Sequence, residues 1–243
     1  MIDTIQPGWD APPGVHAFCT TRGGGVSDTP FDRFNLALHV GDDAQRVAEN
    51  RRLLRQYKSL PDEPCWINQT HGNRVVTLEV DDSRDADATV TRSLDTVAVV
   101  MTADCLPILL CNREGTEVAA VHAGWRGLQA AVIQSTLGVM KSPVTRLMAW
   151  IGPGISQPRF EVGDEVREAF LDSTTEAISC FSEHGEGHWL CDLAGLAELI
   201  LAQQGVTEIH RDRHCSYRDQ DLFYSYRRQA VTGRMASLIW IDS

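Results

Sequence analysis

The stretch 102-TADCLPILL-110 places an acid and a thiol inside an otherwise apolar segment. The prediction of the fold depends on how these two residues are explained. An apolar run over residues 97–101 leads into it and residues 108–110 continue it, which predicts buried β-structure. Cys105 needs no partner there, because a free thiol packs as a small hydrophobe. A buried carboxylate such as Asp104 is costly unless it is bonded or neutral. The thiol is therefore a core residue, a nucleophile or a metal ligand.

On both sides of this stretch, some segments have apolar residues at the two-residue period of a strand and others at the 3.6-residue period of a helix. It predicts strands at residues 15–21, 74–80, 97–102, 108–111, 117–122, 148–151, near 208 and at 236–241. Helices are predicted at residues 43–58, 128–140, 163–171 and 193–204, with Asp42 or Asp43 as the first N-cap. Because strands and helices do not alternate as in a Rossmann sheet, we predict an α+β fold with mixed sheets. No linker or repeat divides the chain, so residues 1–243 are expected to form a single domain.

The composition excludes several classes of protein. A net charge of -11 is opposite to the basic footprint of a nucleic-acid-binding protein and disfavours an anionic membrane as partner. The N-terminal segment lacks signal-peptide features and no apolar run is long enough to span a membrane, so we expect a cytoplasmic protein. The seven cysteines are scattered and include no CxxC pair. They predict reduced thiols, and the commonest sequence signature of structural zinc is absent.

Three reactive side chains stand where predicted strands end: His71 in 68-NQTHG-72, Cys105, and His122 in 121-VHAGWRGL-128. Taken singly, each has an ordinary structural explanation, as a turn residue, an inert buried thiol and a hydrogen-bonded core histidine. The residues after His122 predict a helix start, whose free N–H groups can bind an anion. Together the three side chains favour a functional site, because loops at strand ends carry function on a rigid scaffold.

Two further segments are candidates for ligand binding. The loop 20-TTRGGGVS-27 combines Arg22 with three glycines and could form a nest for phosphate, or only a flexible connection. It lacks the GK[ST] ending of a P-loop, so binding of a nucleoside triphosphate is not indicated. The segment 223-FYSYRRQAVTGR-234 sets aromatic residues beside Arg227 and Arg228, which suits either core packing or stacking on a flat base.

In order along the chain, several segments resemble the motifs of the laccase-domain family, also called the polyphenol oxidase or YfiH family. They are TTRGGGVS, NLALHVGDD, QTHG, TADCLPILL, HAGWRGL, GPGI with FEVGDEV, and FYSYRR with TGR. The resemblance covers residues 20–241 and implies a layered α/β sandwich. It implies phosphorolysis of adenosine, inosine, guanosine and methylthioadenosine, with deamination of adenosine in the same site. It also implies that His71, Cys105 and His122 bind zinc and carry the catalysis.

Zinc is chemically consistent with these residues, because two imidazoles and one thiolate leave a fourth coordination position open. Phosphorolysis also requires inorganic phosphate as co-substrate. We expect Arg22 or the helix start after His122 to hold that phosphate, and Asn35, Asp87 and Arg227 to contact the nucleoside. The expected partners are thus purine nucleosides and phosphate, with no nucleic acid and no membrane.

Two other functions use the same residues. A metal-independent cysteine hydrolase would take Cys105 as nucleophile and His122 or His71 as base. A non-enzymatic module would use the pocket to sense or bind a nucleoside. Copper oxidation of phenols is disfavoured, because such oxidases need many histidine ligands and the chain has only eight histidines.

Overall fold

Regular structure over residues 2–242, which the computed structural model describes, comprises five α-helices and thirteen strands joined by short 3-10 turns. The helices are α1 (Ala44–Tyr57), α2 (Trp125–Gln129), α3 (Val132–Val139), α4 (Asp164–Leu171) and α5 (Leu193–Gln203). The strands are β1 (Thr4–Ile5), β2 (Val15–Thr20), β3 (Val75–Thr77), β4 (Ala88–Thr91), β5 (Ala98–Thr102), β6 (Leu106–Asn112), β7 (Val118–Ala123), β8 (Leu147–Ile151), β9 (Glu161–Gly163), β10 (Phe181–Glu183), β11 (His188–Cys191), β12 (Glu208–Arg211) and β13 (Met235–Ile241).

Two large sheets carry the architecture. A six-stranded sheet has the order β12-β8-β6-β7-β4-β3, and a four-stranded sheet has the order β1-β2-β13-β5. The six-stranded sheet is mixed, because its outer pairs β12–β8 and β3–β4 are parallel and its inner pairs are antiparallel. A small antiparallel sheet, β10-β11-β9, completes the fold.

Side chains alternate between three hydrophobic cores. Along β6, Ile108 and Leu110 pack with the residues of α3 and α5, whereas Leu109 packs into a core shared by the two large sheets. Along β5, Val100 points into the shared core and Val99 into a third core that includes Leu54 of α1. Both faces of these strands are covered, which explains why their sequences are continuously apolar. The resulting layers, helix, sheet, sheet and helices, confirm the predicted α+β sandwich and exclude a Rossmann sheet.

The bend between β5 and β6 explains the polar residues inside the apolar stretch. Because β5 belongs to the four-stranded sheet and β6 to the six-stranded sheet, residues 103–105 cross from one sheet to the other. Asp104 has a positive φ of 87° in this bend. Its Oδ1 accepts a hydrogen bond from the Ser216 hydroxyl at 2.6 Å, and its Oδ2 accepts one from the Arg227 amide at 2.6 Å. The carboxylate is therefore bonded and holds a remote segment against the bend.

Two predicted elements differ from the structure. The helix predicted at residues 128–140 is divided into α2 and α3, because Ala131 adopts a left-handed conformation with φ of 69°. The strand predicted at residues 74–80 ends at Thr77, where Asp81 accepts a hydrogen bond from the Thr77 amide at 2.7 Å and closes a turn. Neither interruption contains Pro or Gly, so the sequence carried no breaker signal.

Candidate metal and substrate site

His71, Cys105 and His122 meet at one point between the sheets. His71 lies in a loop with φ of 61°, Cys105 ends the bend before β6, and His122 lies near the end of β7. One potential ligand atom from each residue lies within 4.8 Å of the other two. The two imidazole rings are 4.7 Å apart at their centroids and nearly perpendicular, at 82°. The sequence predicted this convergence, although the three residues are far apart along the chain.

Asp87 fixes the position of both histidines from beneath the group. Its Oδ1 accepts the backbone N–H of His71 at 2.9 Å and lies 2.8 Å from Nδ1 of His122. Its Oδ2 accepts the Gly72 amide at 2.7 Å and the Thr70 hydroxyl at 2.9 Å. Because Nδ1 of His122 faces a carboxylate, it carries the proton and leaves Nε2 available as a ligand. Sequence reasoning expected Asp87 to contact the nucleoside, but Asp87 is completely buried and does not line the cavity.

The electrostatics of this group favour a thiolate beside an imidazolium. Burial raises the pKa of Cys105, but the adjacent imidazoles of His122 and His71 outweigh it and lower the pKa to about 6. Burial lowers the pKa of His122, but the Cys105 and Asp87 charges outweigh it and raise the pKa to about 9. Burial likewise raises the pKa of Asp87, but hydrogen bonds led by that to His122 bring it to about 2. The thiolate is the form that a metal or an electrophile requires.

Gly124 leaves the room that the Cys105 sulfur occupies. A Cβ atom at this position would lie 2.8 Å from Sγ of Cys105 and 3.5 Å from Cδ2 of His71. Since these separations are shorter than or close to van der Waals contact, any side chain here would displace the sulfur. The glycine of the HAGWRG segment is thus explained by the approach of a reactive side chain.

A cavity of about 530 Å³ opens above the three side chains. Its size is that of a typical small-molecule site. Trp125, Phe160 and Tyr226 supply aromatic lining, with further apolar contacts from the bend and α5. Three arginines and a further histidine also line it, namely Arg126, Arg227, Arg234 and His39. The cavity therefore combines apolar walls with positive charge, in a protein whose net charge is strongly negative.

Arg227 lines the cavity, whereas Arg22 does not. The Arg22 guanidinium is held by the Asp32 carbonyl at 2.9 Å, the Asp32 carboxylate at 3.1 Å and the Gln220 carbonyl at 3.1 Å. The adjacent glycine run packs closely, since a Cβ at Gly25 would lie 2.4 Å from the Arg33 carbonyl oxygen. The TTRGGGVS loop is therefore a packed structural segment, which corrects the expectation that Arg22 holds phosphate.

Asn35 also lies outside the cavity and is completely buried. Its Nδ2 donates to the Ala37 carbonyl at 3.0 Å and to the Asp42 carboxylate at 2.9 Å. Its Oδ1 accepts the amides of Ala37 and Arg234, both at 3.0 Å. The Asn35 side chain was expected to contact a nucleoside. Instead it bonds to the backbone of Ala37 and Arg234, which are next to or part of the cavity wall. Sequence reasoning missed Arg126, Arg234 and His39, although all three lie in segments that it had singled out.

The donor set fits a zinc ion better than the other metals that proteins commonly bind. Borderline nitrogen ligands and one thiolate suit Zn²⁺, and three protein ligands are typical of catalytic rather than structural sites. The buried Asp87 that faces His122 is the kind of outer partner that orients a metal-binding histidine. Among the residues that the structure describes, this is the one group of His, Cys, Asp and Glu with suitable spacing.

Comparisons with known proteins agree with this geometry. Residues 16–242 match the family model described as multi-copper polyphenol oxidoreductase laccase. The chain is 46% identical over 243 residues to the purine nucleoside phosphorylase YfiH of Escherichia coli, covering 99% of this chain and 100% of that protein. A purine nucleoside phosphorylase of Pseudomonas aeruginosa is 46% identical over 241 residues, with 98% of each chain covered.

Solved structures show the same fold. A Neisseria meningitidis protein superposes with a TM-score of 0.95 at 45% identity, covering 99% of both chains. The YlmD protein of Geobacillus stearothermophilus superposes with a TM-score of 0.92 at 26% identity, covering 99% of this chain and 96% of that one. The helices of the described chain are too short or too polar to serve as membrane spans. The match over nearly the whole chain, together with the shared fold, places this protein in the laccase-domain, YfiH-type family.

Proposed function

We propose that this protein is a zinc-dependent purine nucleoside phosphorylase that also deaminates adenosine. The observation that carries the proposal is the convergence of His71, Cys105 and His122 at the base of a cavity sized for a nucleoside. The names of the relatives from Escherichia coli and Pseudomonas aeruginosa support the phosphorylase activity. Adenosine, inosine, guanosine and methylthioadenosine are the proposed substrates, with inorganic phosphate as co-substrate.

The residues of the site would have different roles in the reaction. His71, Cys105 and His122 hold the metal, and zinc supplies Lewis acidity at the base of the cavity when it is bound. Asp87 keeps the proton on Nδ1 of His122 and so maintains the ring orientation. Aromatic faces such as that of Trp125 exclude water and suit stacking on a purine.

Both proposed reactions balance without a further reactant. In phosphorolysis, a phosphate oxygen forms a bond to C1′ of the sugar while the bond from C1′ to the purine nitrogen breaks. The bonding electrons stay with the purine, which takes up the proton that the attacking phosphate gives up, and the other product is the sugar 1-phosphate. In deamination, water replaces the amino group at C6 of adenosine, which gives inosine and ammonia.

The test is chromatography of adenosine, inosine and methylthioadenosine after incubation with zinc-loaded protein. Phosphate should be required for release of free purine and sugar 1-phosphate, and ammonia should form from adenosine without phosphate. Absence of turnover of every nucleoside in both buffers would reject the enzyme and leave a nucleoside-binding module.

A second candidate, a metal-independent cysteine hydrolase, has one specific observation in its favour. The thiolate of Cys105 beside the imidazolium of His122 is the ion pair found in cysteine nucleophiles. The two candidates differ in their need for metal, so activity of verified metal-free protein separates them. A hydrolase would retain its activity after removal of the metal.

A further inference from the structure

Arg234 is a half-buried cation without a carboxylate partner. It lines the same cavity as the metal-binding side chains. Its Nη1 donates to the carbonyls of Thr232 at 2.9 Å and Gly233 at 3.0 Å. Over residues 2–242 no carboxylate oxygen lies within 4.0 Å of the guanidinium, and its Nε and Nη2 have no protein acceptor. Most of the donor capacity of the guanidinium is thus uncommitted.

The free Nε and Nη2 of Arg234 remain accessible to solvent, so a ligand in the cavity can reach them. A partly desolvated charge gains more from a partner of opposite sign than a charge in open water. Burial lowers the pKa of Arg234, while the more distant Cys105 and Asp104 charges act in the opposite direction. An anion within the cavity would pair with this charge.

The other two cavity arginines are either bonded or exposed. Both Nη atoms of Arg227 donate to the Glu161 carbonyl at 3.1 Å, and its guanidinium lies 5.3 Å from the centroid of the Phe160 ring. Arg126 is exposed on the five-residue helix α2, with its guanidinium over the Trp125 ring. Arg126 keeps its donors free but is exposed, so Arg234 is the more desolvated of the two cavity arginines with free donors.

The backbone around Arg234 is held in a fixed position. Oδ1 of Asn35 accepts the amide of Arg234 and the amide of Ala37, both at 3.0 Å. Ala37 directly precedes the 3-10 turn that carries His39 into the cavity. Burial and then the charge of Arg234 lower the pKa of His39, which favours a neutral imidazole that can donate one hydrogen bond. The buried side-chain amide of Asn35 thus connects the segment that carries Arg234 with the segment that carries His39.

We propose that Arg234, with His39 beside it, binds the phosphate co-substrate. A guanidinium and a phosphate form two parallel charge-assisted hydrogen bonds, and the free Nε and Nη2 of Arg234 supply that fork. Phosphate bound there would share the cavity with the nucleoside and so be positioned to attack C1′. The inference rests on the proposed phosphorolysis but concerns a separate property, the binding of phosphate, which can be measured without turnover.

The test is calorimetric titration of inorganic phosphate into zinc-loaded wild type, Arg234→Gln and Arg234→Lys. Loss of a charge-assisted fork should weaken phosphate binding roughly 10- to 100-fold in the Gln variant. The phosphate affinity of Arg234→Lys should lie between those of the wild type and Arg234→Gln, because lysine keeps the positive charge but not the planar guanidinium. Arg146→Gln is the matched control, since it removes the same charge from an exposed ion pair with Glu114 outside the cavity. Zinc content and unfolding temperature in phosphate-free buffer verify that each variant is folded and loaded.

The outcomes separate this inference from the proposed function. Wild-type affinity for phosphate in folded, zinc-loaded Arg234→Gln would overturn the inference, even if nucleosides are cleaved. Binding of phosphate that depends on Arg234 in a protein that cleaves no nucleoside would support the phosphate site and reject the phosphorylase.

If neither variant folds, chemical modification of the wild-type protein tests the inference instead. Phosphate should slow the modification of Arg234 by phenylglyoxal, measured by peptide mass spectrometry, and leave that of Arg146 unchanged. Equal rates at Arg234 with and without phosphate would overturn the inference.

Discussion

The Nδ1 atom of His122 lies 2.8 Å from Oδ1 of Asp87, and both side chains are buried, with exposures of 3% and 0%. The same carboxylate accepts the backbone amides of His71 and Gly72. A single acidic side chain therefore orients one histidine through its ring and the other through its backbone. Asp87 is therefore a positioning residue of the candidate metal centre, although it does not reach the cavity.

Replacement of Asp87 by Asn should weaken zinc binding by about 10- to 100-fold, because an amide group cannot accept all of these N–H donors. Competition with a chelating indicator measures the affinity. Asp85→Asn is the control, since Asp85 is exposed and its carboxylate accepts a hydrogen bond only from the Asn68 side chain, at 2.9 Å. Equal zinc affinity in the two folded variants would contradict the role of Asp87.

Replacement of Gly124 by Ala should also weaken zinc binding, because the added Cβ would lie 2.8 Å from Sγ of Cys105. Gly138 in α3 is the matched control, since a Cβ there meets nothing within 4 Å. Gly138→Ala should leave zinc affinity unchanged and stabilise the helix by roughly 0.5–1 kcal/mol. Zinc titration and thermal unfolding of both variants provide the test. Unchanged zinc affinity in Gly124→Ala would show that the sulfur does not need this space.

Zinc binding should depend on pH in a way set by the two coupled groups. In metal-free protein, the pKa of His122 is raised to about 9 and that of Cys105 is lowered to about 6. Between these values His122 holds a proton that zinc must displace, so affinity should fall about tenfold for each pH unit on acidification. Below about pH 6 the Cys105 thiolate also takes up a proton, so zinc affinity should decrease more steeply with falling pH.

Calorimetry at pH 7.5 in buffers of different ionisation heat counts the protons released on zinc binding. The pKa values above predict about one proton per zinc ion. Release of no proton, together with affinity that is constant from pH 7 to 8.5, would contradict the assignment of His122 as a ligand.

The pattern of strands and helices was sufficient to predict the α+β class, and the resemblance to the laccase-domain family implied that His71, Cys105 and His122 share one site. Continuous apolar strands reveal burial on both faces, and reactive residues at strand ends stand out against that background. The break at Ala131 was not predictable, because its left-handed conformation occurs at a residue with high helix propensity.

The positions of Asp87, Asn35 and Arg234 in the structure could also not be predicted from the sequence. Each depends on contacts between distant segments, such as the bond from the Arg234 amide to Asn35 across 199 residues. The motif that contains Asn35 indicates that this segment matters, but a buried amide supporting the backbone and one contacting a ligand look alike in sequence. Only the pairing of β13 with β2 and β5 brings Arg234 to the cavity.

The central claim is that the metal held by His71, Cys105 and His122 is required for nucleoside cleavage. The most direct measurement is the rate of inosine phosphorolysis by one preparation as isolated, after verified removal of metal, and after return of zinc. The account predicts that activity is lost with the metal and restored by zinc, and that Cys105 reacts with iodoacetamide faster in the metal-free protein than in the zinc-loaded protein. Full phosphorolysis by metal-free protein, abolished only by alkylation of Cys105, would contradict the account and establish the cysteine as nucleophile.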